Sequence, residues 1–307
     1  MSKKVVGKLP VRYFSSVSAR KVEWLWHPYI PYGKITIIQG DPGDGKTTLA
    51  LNIASILSKG QPMPDCSTSA EASTIIYQSA EDSAEDTIKP RLLSAGADCN
   101  RIAFIDESEA NFALNDNRIE SVINETDAKL MIVDPLQAYM GENSEMNRAD
   151  GIRPLMKQLT AVAERTGCAV IIIGHMNKAS GSKGIYRGLG SIDITAAARS
   201  VLLVGRVKSN PSVRVMAQIK NSLAAEGVPF AFEINDNSYV RWIGTYDIGA
   251  EELLSGDEKQ PDSPKLAEAM EVSSLFLTVA MCRATQYMKC FYKKVSVSAR
   301  LTEQRNN

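Results

Sequence analysis

Short, continuous apolar runs punctuate the first 250 residues, at 34–39, 74–78, 102–106, 129–134, 169–174, 200–204, 214–220 and 230–234. Runs of this length, rich in Ile, Val and Leu and without strict alternation, read as strands buried on both faces. Between the earlier runs lie helical stretches. Residues 48–57 have helical composition, and over 149–166 the apolar positions Ile152, Leu155, Met156, Leu159, Val162 and Ala163 recur at helical spacing, with Gly167 placed as a C-terminal stop. Strands alternating with helices predict an α/β fold with a mostly parallel central sheet, flanked by helices. The later strands follow shorter connections, which suits antiparallel strands added at one edge.

From 254 to 265 the chain turns polar and carries two prolines, so a globular domain over 1–253 and a linker over 254–265 are expected. The tail, 266–307, opens like a helix but turns apolar at 275–282 and basic without helical period from 289. A shifted reading frame over 281–294 permits an amphipathic, Leu-bearing helix. The tail is therefore expected to be a truncated or frameshifted domain.

The chain has 307 residues, 44% of them hydrophobic and 23% charged, which is ample for a buried core and excludes a wholly disordered protein. Its 35 basic and 35 acidic residues cancel, so any nucleic-acid contact must come from a local patch. Five cysteines, Cys66, Cys99, Cys168, Cys282 and Cys290, are scattered and lack C-x-x-C spacing, arguing against a disulfide framework or a zinc site. No leader-like apolar region follows Lys3 and Lys4, and no apolar run approaches membrane-spanning length, so the expectation is a cytoplasmic protein with no membrane partner.

The strongest chemical signal is Gly40-Asp41-Pro42-Gly43-Asp44-Gly45-Lys46-Thr47, a complete G-x-x-x-x-G-K-[ST] phosphate loop between a strand-like and a helix-like segment. Glycines let successive N–H groups turn inward, and the start of a helix, continuing through Thr48, adds partial positive charge. Lys46 is placed to reach the β- and γ-phosphates of ATP, and the Thr47 hydroxyl to hold Mg²⁺. Asp134 closes an apolar run, where a carboxylate can hold the same Mg²⁺ beside Thr47.

Glu81, shortly after the 74–78 run, is the best candidate to polarise an attacking water, with Asp82 as fallback; the ordinary alternative is a pair of acids opening a solvated helix. His175 ends another apolar run, either to sense the γ-phosphate or to serve structure alone. The segment 183–191 is glycine-rich and basic and carries one aromatic. Lys183 and Arg187 suit a phosphate backbone and Tyr186 suits stacking on a base, while a plain surface or interface loop fits equally well.

Taken in order, Trp24-Leu25-Trp26, Ile30-Pro31-Tyr32-Gly33-Lys34, the phosphate loop, Ser79-Ala80-Glu81-Asp82, Pro90-Arg91-Leu92, Asp134-Pro135, Gly174-His175, Arg187-Gly188-Leu189-Gly190-Ser191 and Lys220-Asn221-Ser222-Leu223-Ala224 resemble the RepA-like branch of RecA-type P-loop ATPases, an AAA-family type of plasmids, phages and mobile elements. The resemblance covers residues 5–248. It implies a RecA-like core that hydrolyses ATP with Mg²⁺ between subunits of a homo-oligomer, usually a hexameric ring, acting on single-stranded DNA.

In that setting Glu81 matches the catalytic glutamate, His175 the γ-phosphate sensor and Lys220 a lysine finger. Arg199 or Arg206 matches an arginine finger, and 183–191 lies where DNA-contacting loops are expected. Related hexameric helicases carry an Arg two residues after the Lys, where this chain has Ser222. The resemblance also implies a small winged-helix domain after the linker, from which the tail departs beyond residue 272. The functional expectation is a replication ATPase, helicase or loader. The alternatives are a filament-forming recombination or repair ATPase, a regulatory ring without nucleic acid, and, last, a small-molecule kinase.

Overall fold

The computed structural model describes residues 11–69, 71–108, 112–139, 149–175 and 192–255. Its centre is a nine-stranded sheet. The strand β3 (Ile35–Gly40) is buried along its whole length and lies between β7 (Ala169–His175) and β8 (Ser200–Arg206), parallel to both. Beyond β7 follow β6 (Ala128–Asp134), β4 (Thr74–Ser79) and the two-residue β5 (Ile102–Ala103), all parallel. On the other side β9 (Val213–Asn221), β10 (Phe230–Ile234) and β11 (Val240–Thr245) continue the sheet antiparallel. This is the expected α/β architecture with antiparallel strands at one edge.

Both faces of the sheet are covered, which is why its inner strands read as unbroken apolar runs. On one face Ile38, Ile75, Tyr77, Leu130 and Ile132 pack with α1 (Lys46–Ser58). On the other, Ile35, Ile37, Ile76, Met131 and Val133 pack with Leu155, Met156 and Leu159 of α4 (Ala149–Thr166). The amphipathic positions read from the sequence are the buried ones. Truncating one fully buried leucine such as Leu159 would cost about 2–5 kcal/mol.

Two short helices, α2 (Lys89–Ser94) and α3 (Ile119–Thr126), flank the β4 to β6 side. Next in the chain, α5 (Ile192–Ala197) leads into β8, and α6 (Ala250–Ser255) is the last described element. A small antiparallel pair, β1 (Trp24–Trp26) and β2 (Ile30–Pro31), stands ahead of β3. Trp26 of β1 packs on Phe230 and Trp242, and Tyr29 of the connecting turn packs on Trp26 and Phe230, sealing the α1 face against the antiparallel strands.

The strand expected over 102–106 stops after Ala103. Its cause is the buried Gln78, whose Oε1 accepts the Ile105 N–H (2.9 Å) while its Nε2 donates to Glu107 (2.5 Å) and the Ile105 carbonyl (3.3 Å). A side chain thus takes the bonds that a neighbouring strand would supply. The loop candidates Lys183, Tyr186 and Arg187, and the tail with most of the expected linker, lie outside the described residues.

Candidate nucleotide site

Parallel register brings the carboxyl ends of five strands to one edge. Gly40 stands opposite His175, and Ser79 opposite Asp134. This is the edge at which open α/β sheets bind ligands. The loop 41–45 leaves β3 there and returns as α1, whose first hydrogen bond runs from Leu49 N–H to the Gly45 carbonyl at 2.8 Å. Gly43 and Gly45 have φ of +83° and +94°, the left-handed region in which a side chain is strained. At Gly45 a Cβ would also lie 2.5 Å from the Ile234 Cδ1.

Gly40 is needed for a different reason. A Cβ on it would sit 2.1 Å from the Val204 carbonyl oxygen of β8, so the loop begins where two strands meet backbone to backbone.

Lys46 opens α1 and is only 5% exposed. Its ammonium donates to the Gly40 carbonyl at 3.0 Å and the Asp41 carbonyl at 2.8 Å. Burial pushes its pKa down, while Asp44, Asp134, Asp41 and Glu81 pull it back up. Those carboxylates hold the charged form in place against desolvation.

Thr47 donates its hydroxyl to Asp134 Oδ2 at 2.7 Å, and the Tyr77 hydroxyl donates to the same oxygen at 2.8 Å. Strand alternation explains the meeting: residues 130, 132 and 134 of β6 and 75 and 77 of β4 share the face that packs on α1. Asp134 is 5% exposed, and burial raises its pKa, with the Thr47 and Tyr77 hydrogen bonds opposing that shift and Glu81 and Asp82 adding to it. Tyr77 is buried with its own pKa raised well above the ordinary phenol value, first by burial and then by Asp134, so it remains a donor. A hydroxyl and a carboxylate oxygen in contact offer the hard ligands that Mg²⁺ prefers.

Glu81 is exposed in the turn after β4, where its charge is felt by both Lys46 and Asp134. Asp82 instead forms an ion pair with Arg91 of α2 at 2.9 Å. The backbone of His175 ends β7 in register with Gly40. Loop, Glu81, Asp134 and His175 therefore share one edge.

Lys220 and Arg199 do not join them. Arg199 donates its N–H to the Ile35 carbonyl at 2.9 Å, and Lys220 pairs with Val201, so both stand at the amino edge of the parallel strands. Five residues of β3 separate that level from Gly40, on the order of 16 Å at ~3.3 Å per residue. In its own chain the Lys220 ammonium donates to the carbonyls of Thr195 (2.7 Å) and Ala198 (2.9 Å), closing the end of α5.

Arg206, the alternative arginine, occupies the loop edge and engages its own loop, donating to the Gly43 carbonyl at 2.6 Å and pairing with Asp44 at 3.4 Å. Tyr77 and Arg214 are site residues that the motifs did not mark. Tyr77 carried one available signal, a hydroxyl inside an apolar run. Arg214, whose Cδ lies 3.2 Å from the Cβ position of Gly45, became visible only when β9 folded back along β8.

A family model described as an AAA domain matches residues 8–181, more than half of the chain. Among similar proteins is the DNA repair protein RadA of Bacillus subtilis (strain 168), 23% identical over 228 residues, which cover 73% of this chain and 44% of RadA. The RadA of Streptococcus pneumoniae (strain R6) is 24% identical over 229 residues, covering 73% and 48% respectively. That of Halalkalibacterium halodurans is 25% identical over 228 residues, covering 73% and 44%. The chain spans a little under half the length of these relatives.

Proposed function

Because the chain belongs to the AAA-domain family and carries its phosphate loop on a RecA-like sheet, we propose that it binds and hydrolyses ATP and couples that reaction to work on DNA. The observation that carries this reading is the contact of Thr47 and Tyr77 with Asp134 at the mouth of a loop in which Lys46 is already fixed. The residues fit the ligand. Backbone N–H groups at the start of α1 and Lys46 suit the phosphates, and the positive φ at Gly43 and Gly45 gives the loop its curl.

Among the described residues no cluster of three or more His, Cys, Asp or Glu side chains forms a metal cage. Thr47 and Asp134 would hold Mg²⁺ together with phosphate oxygens, as nucleotide sites do. Bound there, the ion supplies charge neutralisation on the β- and γ-phosphates. Lys46 orients the same phosphates, Glu81 takes a proton from the attacking water, and His175 reports on the γ-phosphate. Helix α1 contributes its N-terminal dipole to the charge that builds in the transition state.

The proposal extends to a homo-oligomer. Lys220 and Arg199 stand at the edge remote from their own loop, so as fingers they serve a neighbour packed head to tail, as in a ring. The segment 11–22 supports self-association: Val11, Tyr13, Phe14, Val17 and Val22 are all exposed, Phe14 by 94%. Exposed apolar residues gathered in one stretch mark an interaction surface.

For the DNA role, the similarity to DNA repair proteins favours a role in repair. The second reading, a replication helicase or loader, draws on the ordered motifs from Trp24 to Ala224 and their RepA-like pattern. ATP turnover with and without single-stranded DNA tests the proposal. Stimulation by DNA, abolished in Lys46→Ala, is expected, and turnover indifferent to every nucleic acid would move the chain to a regulatory role. Unwinding of a forked duplex then favours the replication reading, and strand pairing without unwinding favours recombination. Among the described residues no helix is long and apolar enough to cross a membrane.

A further inference from the structure

The phosphate loop carries an acid where a polyphosphate must approach. Asp44 lies between Gly43 and Gly45, and its side chain is only 14% exposed. One carboxylate oxygen accepts the Asp41 N–H at 3.2 Å and the other faces the Arg206 Nε at 3.4 Å. Burial and the charge of Asp41 raise its pKa, while the Asp41 N–H, Lys46 and Arg206 lower it. Its charge, with those of Asp134, Asp41 and Glu81, favours the charged form of Lys46. A carboxylate at this place sets a negative charge against an incoming polyphosphate.

Arg206 faces that charge. Its Nη2 holds the Gly43 carbonyl at 2.6 Å, on the apex of the loop, while its Nε faces Asp44. Arg214 stands directly across from it on β9, and the Arg214 Nε is buried without a hydrogen-bond partner. Like charges facing each other across two strands are unfavourable by themselves. The carboxylate between loop and hairpin makes the arrangement tolerable.

We propose that Asp44 and Arg206 are a positioning pair that sets the affinity of the loop for polyphosphate. Arg206 braces the loop through Gly43 and cancels the charge that Asp44 sets against incoming phosphates. The pair rests on the nucleotide-binding reading of the loop. It gives the β8–β9 hairpin a purpose at the site that the motif does not contain.

Equilibrium binding of ATP and ADP to the full chain, in Mg²⁺, tests it through wild type and four variants. Arg206→Gln is expected to weaken ATP by about tenfold, the scale of one unit charge uncovered beside a polyphosphate near the surface, and ADP by less. Arg206→Lys should recover part of the loss. Asp44→Asn should bind ATP more tightly than wild type, and in its background Arg206→Gln should cost less than about twofold if the arginine acts through the acid.

An equal loss in both backgrounds would overturn the pair, as would an equal loss for ATP and ADP. If wild type binds neither nucleotide, the reading of the loop itself fails. If wild type binds and the variants do not differ from it, only the pair fails.

Discussion

Replacing Tyr77 by Phe removes one of two hydrogen bonds to Asp134 and leaves the ring's packing in place. The lost bond is 2.8 Å long, donated by a buried phenol to a carboxylate that is 5% exposed. A hydrogen bond to a charged acceptor is worth about 1.5–3 kcal/mol. At 1.36 kcal/mol per pH unit this raises the Asp134 pKa by roughly one unit or more, on top of the rise that burial already imposes. The carboxylate must be ionised to hold Mg²⁺. The acid limb of kcat/KM for ATP hydrolysis should therefore move up by about one pH unit, while rates well above that limb stay close to wild type.

Stability should follow the same sign. An acid whose folded pKa is raised contributes stability that is fully present below its unfolded pKa and is lost as pH rises through the folded value. Tyr77→Phe enlarges that loss, so its urea midpoint should match wild type in acid and fall below it near neutrality. Paired pH–rate and urea profiles measure both effects. A constant offset at every pH would mean that the hydroxyl only packs, and an unmoved acid limb would refute the account of Asp134.

Other outcomes follow from the same geometry. Gly40→Ala places a Cβ 2.1 Å from the Val204 carbonyl oxygen and should cost more than about 4 kcal/mol in urea unfolding, because backbone and not a flexible side chain must yield. Lys220→Met removes the cation from the end of α5 and should cost about 1–2 kcal/mol. If Lys220 also serves a neighbour, Lys220→Met and Lys46→Ala proteins, each inactive alone, should regain hydrolysis when mixed. No recovery in assemblies shown to be mixed removes the finger role. Serine at Val11, Phe14 and Val17 should lower the mass of the assembly by light scattering without changing the circular dichroism spectrum, since all three side chains are exposed.

Much of the site was legible in the chain. The loop motif needs its own glycines, lysine and threonine in fixed order, and Asp134 was marked by the apolar run that delivers it. Glu81 and His175 could be placed at the same edge because parallel strands all end there. What failed was local or distant in the chain. The strand over 102–106 was cut short by Gln78, which is 27 positions from Ile105 in sequence and hydrogen-bonded to it in space. The β1–β2 pair reads as an aromatic stretch until Phe230 and Trp242 arrive to pack on it.

The α/β class, the buried strands, the amphipathic α4 and the phosphate loop could be read from the chain, because these depend on periodicity and on short contiguous motifs. Which charges meet depended on the fold. It put Arg206 at its own loop and sent Lys220 and Arg199 to the far edge, since the direction of β8 and the return of β9 fix where each side chain emerges. It also gave Asp134 a second donor in Tyr77, 57 residues away. Electrostatics at the site depends on separations of a few ångströms between residues remote in the chain, and those are set when the strands pair.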